Sequence, residues 1–319
     1  MRKLIGTLVV VLFASAALGA DDYPARAVRV VVPFAPGGGT DLVARILGQR
    51  LSQKLGQSFV IENRPAGSGI VGADLVAKAP ADGYTLLFAF SSLSSSAKLF
   101  SHLPYDPIRD FAPVALATTS PLLAVVPASL PAKNVGEFIA YAKANPGKLN
   151  YGSSGIGSIH HLATEALKAG FGIDLVHVPY KGTGQSVPAL LGGQVALLYS
   201  ALPSIAGHLK DGKVKMLAIS SVKRSPHTPD VPTVAENGIA GYDYVAEIGL
   251  LAPAATPREV IQRLASEMAK VLKQPDIVKR FTELGIDAVG SSPTDYAALN
   301  KTEYEKYGKL VKETGAKVD

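Results

Sequence analysis

Cysteine is absent from all 319 positions. That excludes disulfides, thiol nucleophiles, thiolate metal sites and the lipidated cysteine of a bacterial lipoprotein. Tryptophan is absent too, and aromatic residues make up only 7% of the chain. The formal charge of +6 is spread thinly, with no dense basic run. A nucleic-acid partner, which calls for clustered Lys and Arg, is therefore not expected. Charged residues are scarce at 18%, against 47% hydrophobic, which is the balance of a globular chain with a large core. Long apolar runs are also scarce. Beyond the N-terminus no stretch approaches the ~18 apolar residues that cross a bilayer.

The N-terminus is the exception. Arg2 and Lys3 precede an apolar run from Leu4 to Leu18, and Gly19, Ala20 and two aspartates follow. This is the layout of a secretory signal peptide over residues 1–20, cleaved after Gly19 or Ala20. Without a lipid site or a second span, the mature chain is expected to be free in the periplasm of a double-membrane bacterium.

What remains reads as an α/β chain with mainly parallel sheets. Val28 to Phe34 is an apolar strand, and Leu42, Val43, Ile46, Leu47, Leu51 and Leu55 mark one face of a helix that Gly56 ends. A strand over Ser58–Ile61, a helix over Ile70–Ala77 and a strand over Tyr84–Phe90 follow, closing on Ser91 and Ser92. The series then repeats. A strand at Leu149–Tyr151 leads through GSSGIGS into a helix from Ile159 to Ala169; a strand at Ile173–Val178 leads through PYKGTGQ into a helix at Val187–Leu191; a strand at Val195–Tyr199 closes on Ser200. Two similar lobes are expected rather than a short-period repeat array. The last part is helical. Thr256 is expected to cap one helix, with Pro257 at its first position, and Ser292 another. Those helices are expected to pack back on the first lobe, so that the chain crosses between lobes near residues 120–126 and 240–250.

Two loops carry the chemistry. Pro36, Gly37, Gly38, Gly39, Thr40 and Asp41 join a strand to a helix start, where backbone N–H groups and the helix dipole favour an anion. Gly152, Ser153, Ser154, Gly155, Gly157 and Ser158 are built the same way in the second lobe. Paired, they point to an anion-binding cleft. Neither loop has the lysine of a phosphate loop. GSGIVG, Gly67 to Gly72, matches a dinucleotide pattern, but the next strand ends in Ser91 where a ribose-binding acid is needed. A hydrolase using Ser154 with His161 is the rival reading, yet Ile156 breaks the G-x-S-x-G pattern and Glu165 lies on the same local segment. His161 and Glu165 alone make too few ligands for a metal site. Tyr180, beside Lys181 in PYKGTGQ, is placed at the cleft.

The stretches YPARAVRVVVPFAPGGGTDLVAR, ENRPAGSGIVGADLVAKAPADGYTLL, PYDPIRDFAPVA, LNYGSSGIGSIHHLA, VPYKGTGQSVPALLGGQV, LAISSVKRSPHTPDVPTVAENG and LLAPAATP resemble the substrate-binding proteins of tripartite tricarboxylate transporters, the Bug receptors. The resemblance spans about residues 23–315, in the family's order. It implies a two-lobed periplasmic binding protein of the Venus-flytrap kind with a cleft between lobes, lobe one being residues 21–122 and 247–319 and lobe two residues 123–246. It implies a small carboxylate ligand held by main-chain amides of two loops, which here run from Phe34 and Ala35 to Asp41 and from Gly152 to Ser158. It also implies membrane permease subunits as partners, a monomer, no cofactor, no metal and no catalysis. Two departures stand out. Ala196 and Ser200 replace aspartates common in the family, and Glu247 stands about where relatives carry a tryptophan. Glu247 is thereby a candidate for a ligand carrying a cationic group.

Overall fold

A computed structural model describes residues 23–90, 93, 96–100 and 102–314 of the chain. The signal peptide expected at 1–20, and Ser91 and Ser92, lie outside the described residues.

The first run of elements is β1 (Val28–Val32), α1 (Gly39–Leu55), β2 (Phe59–Asn63), α2 (Ile70–Ala77), β3 (Thr85–Phe90), α3 (Ser96–Leu99) and β4 (Phe111–Pro121). β1 stops two residues short of the expected Phe34, at Pro33, which has no N–H to give a neighbouring strand. Gly56 ends α1 in the left-handed conformation (φ 70°). The second run is β5 (Leu123–Pro127), α4 (Val135–Ala144), β6 (Asn150–Ser153), α5 (Ile159–Phe171), β7 (Val176–Pro179), α6 (Thr183–Leu191), β8 (Leu197–Ser200), α7 (Leu202–Lys210) and β9 (Val214–Ile219). The chain then adds β10 (Val245–Pro253), α8 (Arg258–Leu272), α9 (Pro275–Glu283), β11 (Asp287–Ala288) and α10 (Pro293–Thr314). Among the described residues no helix is long and apolar enough to cross a membrane.

Two sheets result, ordered β11-β4-β10-β3-β1-β2 and β7-β6-β8-β5-β9. β1 lies parallel between β2 and β3, and β6 lies parallel between β7 and β8. The two expected strand–helix series thus occupy equivalent places. The sheets are mixed, however, not mainly parallel. β10 pairs antiparallel with both β3 and β4, and β5 antiparallel with both β8 and β9. These strands carry the chain from one sheet into the other without a crossover helix, and a parallel entry requires one.

The two crossings run side by side and Ser220 ties them. Its N–H donates to Leu122 O (2.8 Å) and its carbonyl accepts from Tyr244 N (3.0 Å). Its buried hydroxyl accepts from Leu122 N (2.9 Å) and donates to Tyr244 O. Nearby, Tyr242 donates to Ala163 O of α5 (2.6 Å) and lies 2.7 Å from the hydroxyl of Tyr199 in β8.

Ser292 caps α10 as expected, accepting from Asp295 N at 3.1 Å. Thr256 does not cap α8. Pro257 is still extended (ψ 139°), so the helix starts one residue later at Arg258, and Thr256 Oγ1 is buried without a partner. α10 packs on the first sheet so closely that a methyl group at Gly249 would lie 2.4 Å from the Tyr296 ring.

Candidate functional site

The carboxyl ends of the parallel strands of both sheets meet. From the first sheet comes the loop from Phe34 to Gly38. Gly37 takes a positive φ of 82°, which a glycine adopts without strain. Asp41, buried in the first turn of α1, braces the loop: it accepts from Gly37 N (3.1 Å), Arg45 Nε (3.0 Å) and Asn63 Nδ2 (2.9 Å), and Asn63 also donates to Phe34 O (3.0 Å). Burial alone raises the Asp41 pKa, but the bonds from Arg45, Gly37 and Asn63 outweigh it and hold the carboxyl below its ordinary value. Gly38 is the N-cap of α1 and offers no side-chain acceptor, so the helix's first N–H groups are left without an internal partner.

The second loop is held from within. Ser153, fully buried, has its Oγ 2.7 Å from His177 Nε2 and 3.1 Å from Gly155 N. Ser158 caps α5 by accepting from His161 N (3.3 Å). Gly155 and Gly157 take φ of 127° and 78°. The expected pairing of Ser154 with His161 does not form. Ser154 Oγ lies 2.7 Å from Nδ1 of His160, while His161 Nδ1 accepts from Gly157 N (3.1 Å) and its ring stacks on His177 at 4.3 Å. Adjacent helix residues point about 100° apart, so only one of the two histidines reaches Ser154 while the other meets the loop at Gly157. Burial lowers the His160 pKa to about 4, with no charged neighbour contributing. His160 is therefore neutral at pH 7, and among the described residues no carboxylate backs it as a triad requires. Glu165 is occupied elsewhere, by Tyr151 Oη (2.5 Å) and Lys168 Nζ (2.8 Å).

A third loop, PYKGTGQ, completes the junction, through Gly182 and Thr183 rather than through Tyr180, the residue expected from it. Gly182 and Thr183 start α6, and Gly182, like Gly38, is an N-cap with no capping side chain. This loop touches the first one across the gap between sheets. Ala35 N donates to Lys181 O (2.7 Å). A methyl group at Gly184 would fall 2.2 Å from Pro36 O, and one at Gly38 2.7 Å from Thr183 Oγ1. Phe90 of β3 meets the His160 ring edge-on, 5.7 Å between centroids. The signal was present in the sequence as Gly182 and Gly184 flanking a helix start.

Two small cavities lie within this closed junction, each with room for about one water molecule. The outer one is bounded by Phe34, Gly38, Thr40, Asp41, Ser154 and Gly182. The inner one lies toward the crossings, against Val43, Leu122, Ala246, Ile248 and Ile286. Gly39, Phe90, His160 and Thr183 border both. Three expected site residues stand apart. Tyr180 reaches Gln194 Oε1 (3.4 Å), and Ser200, fully buried, reaches Ala201 O (3.4 Å). Glu247 does not face the ligand gap. Strand alternation puts Ala246 and Ile248 on the inner cavity and Glu247 on the opposite face, where its charge acts on Tyr307 of α10.

Residues 43–316 match the model of the tripartite tricarboxylate transporter family receptors. The chain belongs to this family. Protein BugT of Bordetella pertussis is 35% identical over 320 residues, covering 100% of this chain and 98% of BugT. Among solved structures, R. palustris Rpa4515 with adipate is 38% identical with a TM-score of 0.89, covering 92% of this chain and 99% of that one. MatC (Rpa3494) from Rhodopseudomonas palustris with bound malate is 35% identical with a TM-score of 0.87, covering 91% and 100%. The family's two-lobed α/β architecture is the one described above, with a sheet in each lobe.

Proposed function

We propose that this receptor closes its two lobes on a small carboxylate in the periplasm and delivers it to the membrane permease of a tripartite tricarboxylate-type transporter. One observation carries the reading. The uncapped starts of α1 and α6 and the glycine-rich start of α5 converge on one junction between lobes, and among the described residues no Lys or Arg borders either of its two cavities. Unpaired N–H groups with the positive ends of helix dipoles suit an anion held by backbone rather than by a charged clamp. The adipate and malate held by the two relatives support a carboxylate as that anion.

The residues assigned to the carboxylate are Gly38, Gly39 and Thr40 of the first loop, Ser154 to Ser158 of the second, and Gly182 and Thr183 of the third. Lobe one is taken as residues 21–122 with 247–319, and lobe two as 123–246. The chain acts as a monomer, freed from a cleaved signal peptide and not lipid-anchored, without cofactor or catalysis. A buried Ser154–His160 pair with no acid behind it among the described residues supports a receptor over a hydrolase.

A thermal-shift screen of mono-, di- and tricarboxylates tests the proposal. A true ligand at 100 times its dissociation constant adds about 2.7 kcal/mol to stability. A screen in which neutral and cationic solutes stabilise the protein and no carboxylate does so refutes it.

A further inference from the structure

The outer and inner cavities differ in chemistry. The outer one is bounded by glycines, the start of α1 and Ser154. The inner one is walled by Val43, Phe90, Leu122, Ala246, Ile248 and Ile286, each no more than 7% exposed. Among the described residues its side-chain polar groups are those of Ser120, His160 and Thr183. His160 is already engaged with Ser154. The nearest formal charges are spent or turned away. Asp41 is bonded to its own loop, Arg45 pairs with Asp41, the Lys181 side chain is exposed, and Glu247 is on the far face of β10.

We infer that the ligand is an amphipathic monocarboxylate, with its carboxylate in the outer, glycine-lined part and an aliphatic or aromatic body in the inner, apolar part. This rests on the carboxylate reading above and narrows it. A second carboxylate would be driven into the apolar wall, where among the described residues no cation meets it, and an unpaired buried charge is strongly penalised. The apolar wall instead favours methylene or ring surface. Ser120 accommodates one hydroxyl on that body.

Matched pairs test this on the unaltered receptor: hexanoate against adipate, and benzoate against terephthalate, by titration calorimetry. The monocarboxylate of a pair is expected to bind at least about 100-fold more tightly, the factor for a few kcal/mol of unpaired charge. From acetate through butyrate to hexanoate, affinity is expected to rise about fourfold per added methylene. A dicarboxylate that binds as tightly as its partner, or affinity that is flat with chain length, overturns the monocarboxylate assignment and leaves the carboxylate receptor standing. Hexanamide or benzamide binding as tightly as the acids, or no acid binding at all, overturns both.

Discussion

At the scale of single residues, the glycines divide by what they avoid. Gly37 needs its positive φ. Gly38 does not: its φ of −82° is open to any residue. Gly38 and Gly184 are constrained by what faces them in the other lobe, Thr183 Oγ1 and Pro36 O. A side chain at Gly184 would therefore obstruct closure more than folding. Gly184→Ala is expected to weaken ligand binding at least about tenfold, or about 1.4 kcal/mol, with the melting temperature of the ligand-free protein little changed. Unaltered affinity in calorimetry would show that the loops do not approach as described when ligand binds. Ser154→Ala removes a buried neutral bond and strands His160 Nδ1, so it should destabilise the fold by about 1–3 kcal/mol. Denaturant titration measures that loss, and an ester- or amide-cleaving activity that disappears in the variant would revive the hydrolase. The glycine-rich loops were legible in the sequence because three glycines between a strand and a helix are costly unless used. Which of two adjacent histidines turns to Ser154 was not legible, since it depends on the rotation of the first helical turn relative to a loop that itself bends at Gly155 and Gly157.

At the scale of elements, the repeated strand–loop–helix units could be read from periodicity because each is local. The crossings could not. β4 and β10 find their partners far along the chain, and β10 inserts between β3 and β4 with irregular register. Nothing local in VAEIGLLAP announces that Ala246 and Ile248 face the cavity while Glu247 faces α10. α4 did carry a sequence signal that went unread: Asn134 accepts from Glu137 N, and Glu137 accepts from Lys133 N, a capping pair three residues apart. The element that joins the two sheets is the paired crossing. Ser220 holds Leu122 and Tyr244 together, and Tyr242 fastens the second crossing to α5 and β8. Tyr242→Phe leaves the Ala163 carbonyl and the Tyr199 hydroxyl without that buried partner. A loss of about 1–3 kcal/mol is expected in denaturant unfolding, and a variant as stable as the parent would show that Tyr242 does not anchor the crossing.

At the scale of the whole molecule, burial of histidine sets a pH dependence. His160 and His161 are both lowered from 6.5 to about 4, chiefly by burial. The unfolded chain therefore binds protons that the folded one refuses. Stability from these groups is full above about pH 6.5 and falls as pH drops toward 4, by up to about 1.4 kcal/mol per pH unit for each histidine. Urea midpoints measured across that range should decline; replacing His160 with Gln should flatten part of the decline. The closed lobes also set what binding must do. With room for only about one water in each cavity, any organic acid requires the lobes to part and re-close around it. Re-closure is favoured only by contacts the closed state alone makes, which on the proposed function are the N–H groups of opposing loops meeting one carboxylate. The direct test is titration calorimetry of the best-binding acid against its own primary amide, which has the same shape without the charge. The acid is expected to bind, and the amide to bind at least about 100-fold more weakly. Equal affinity for the two would contradict the carboxylate reading, because the junction would then be recognising shape and not a carboxylate.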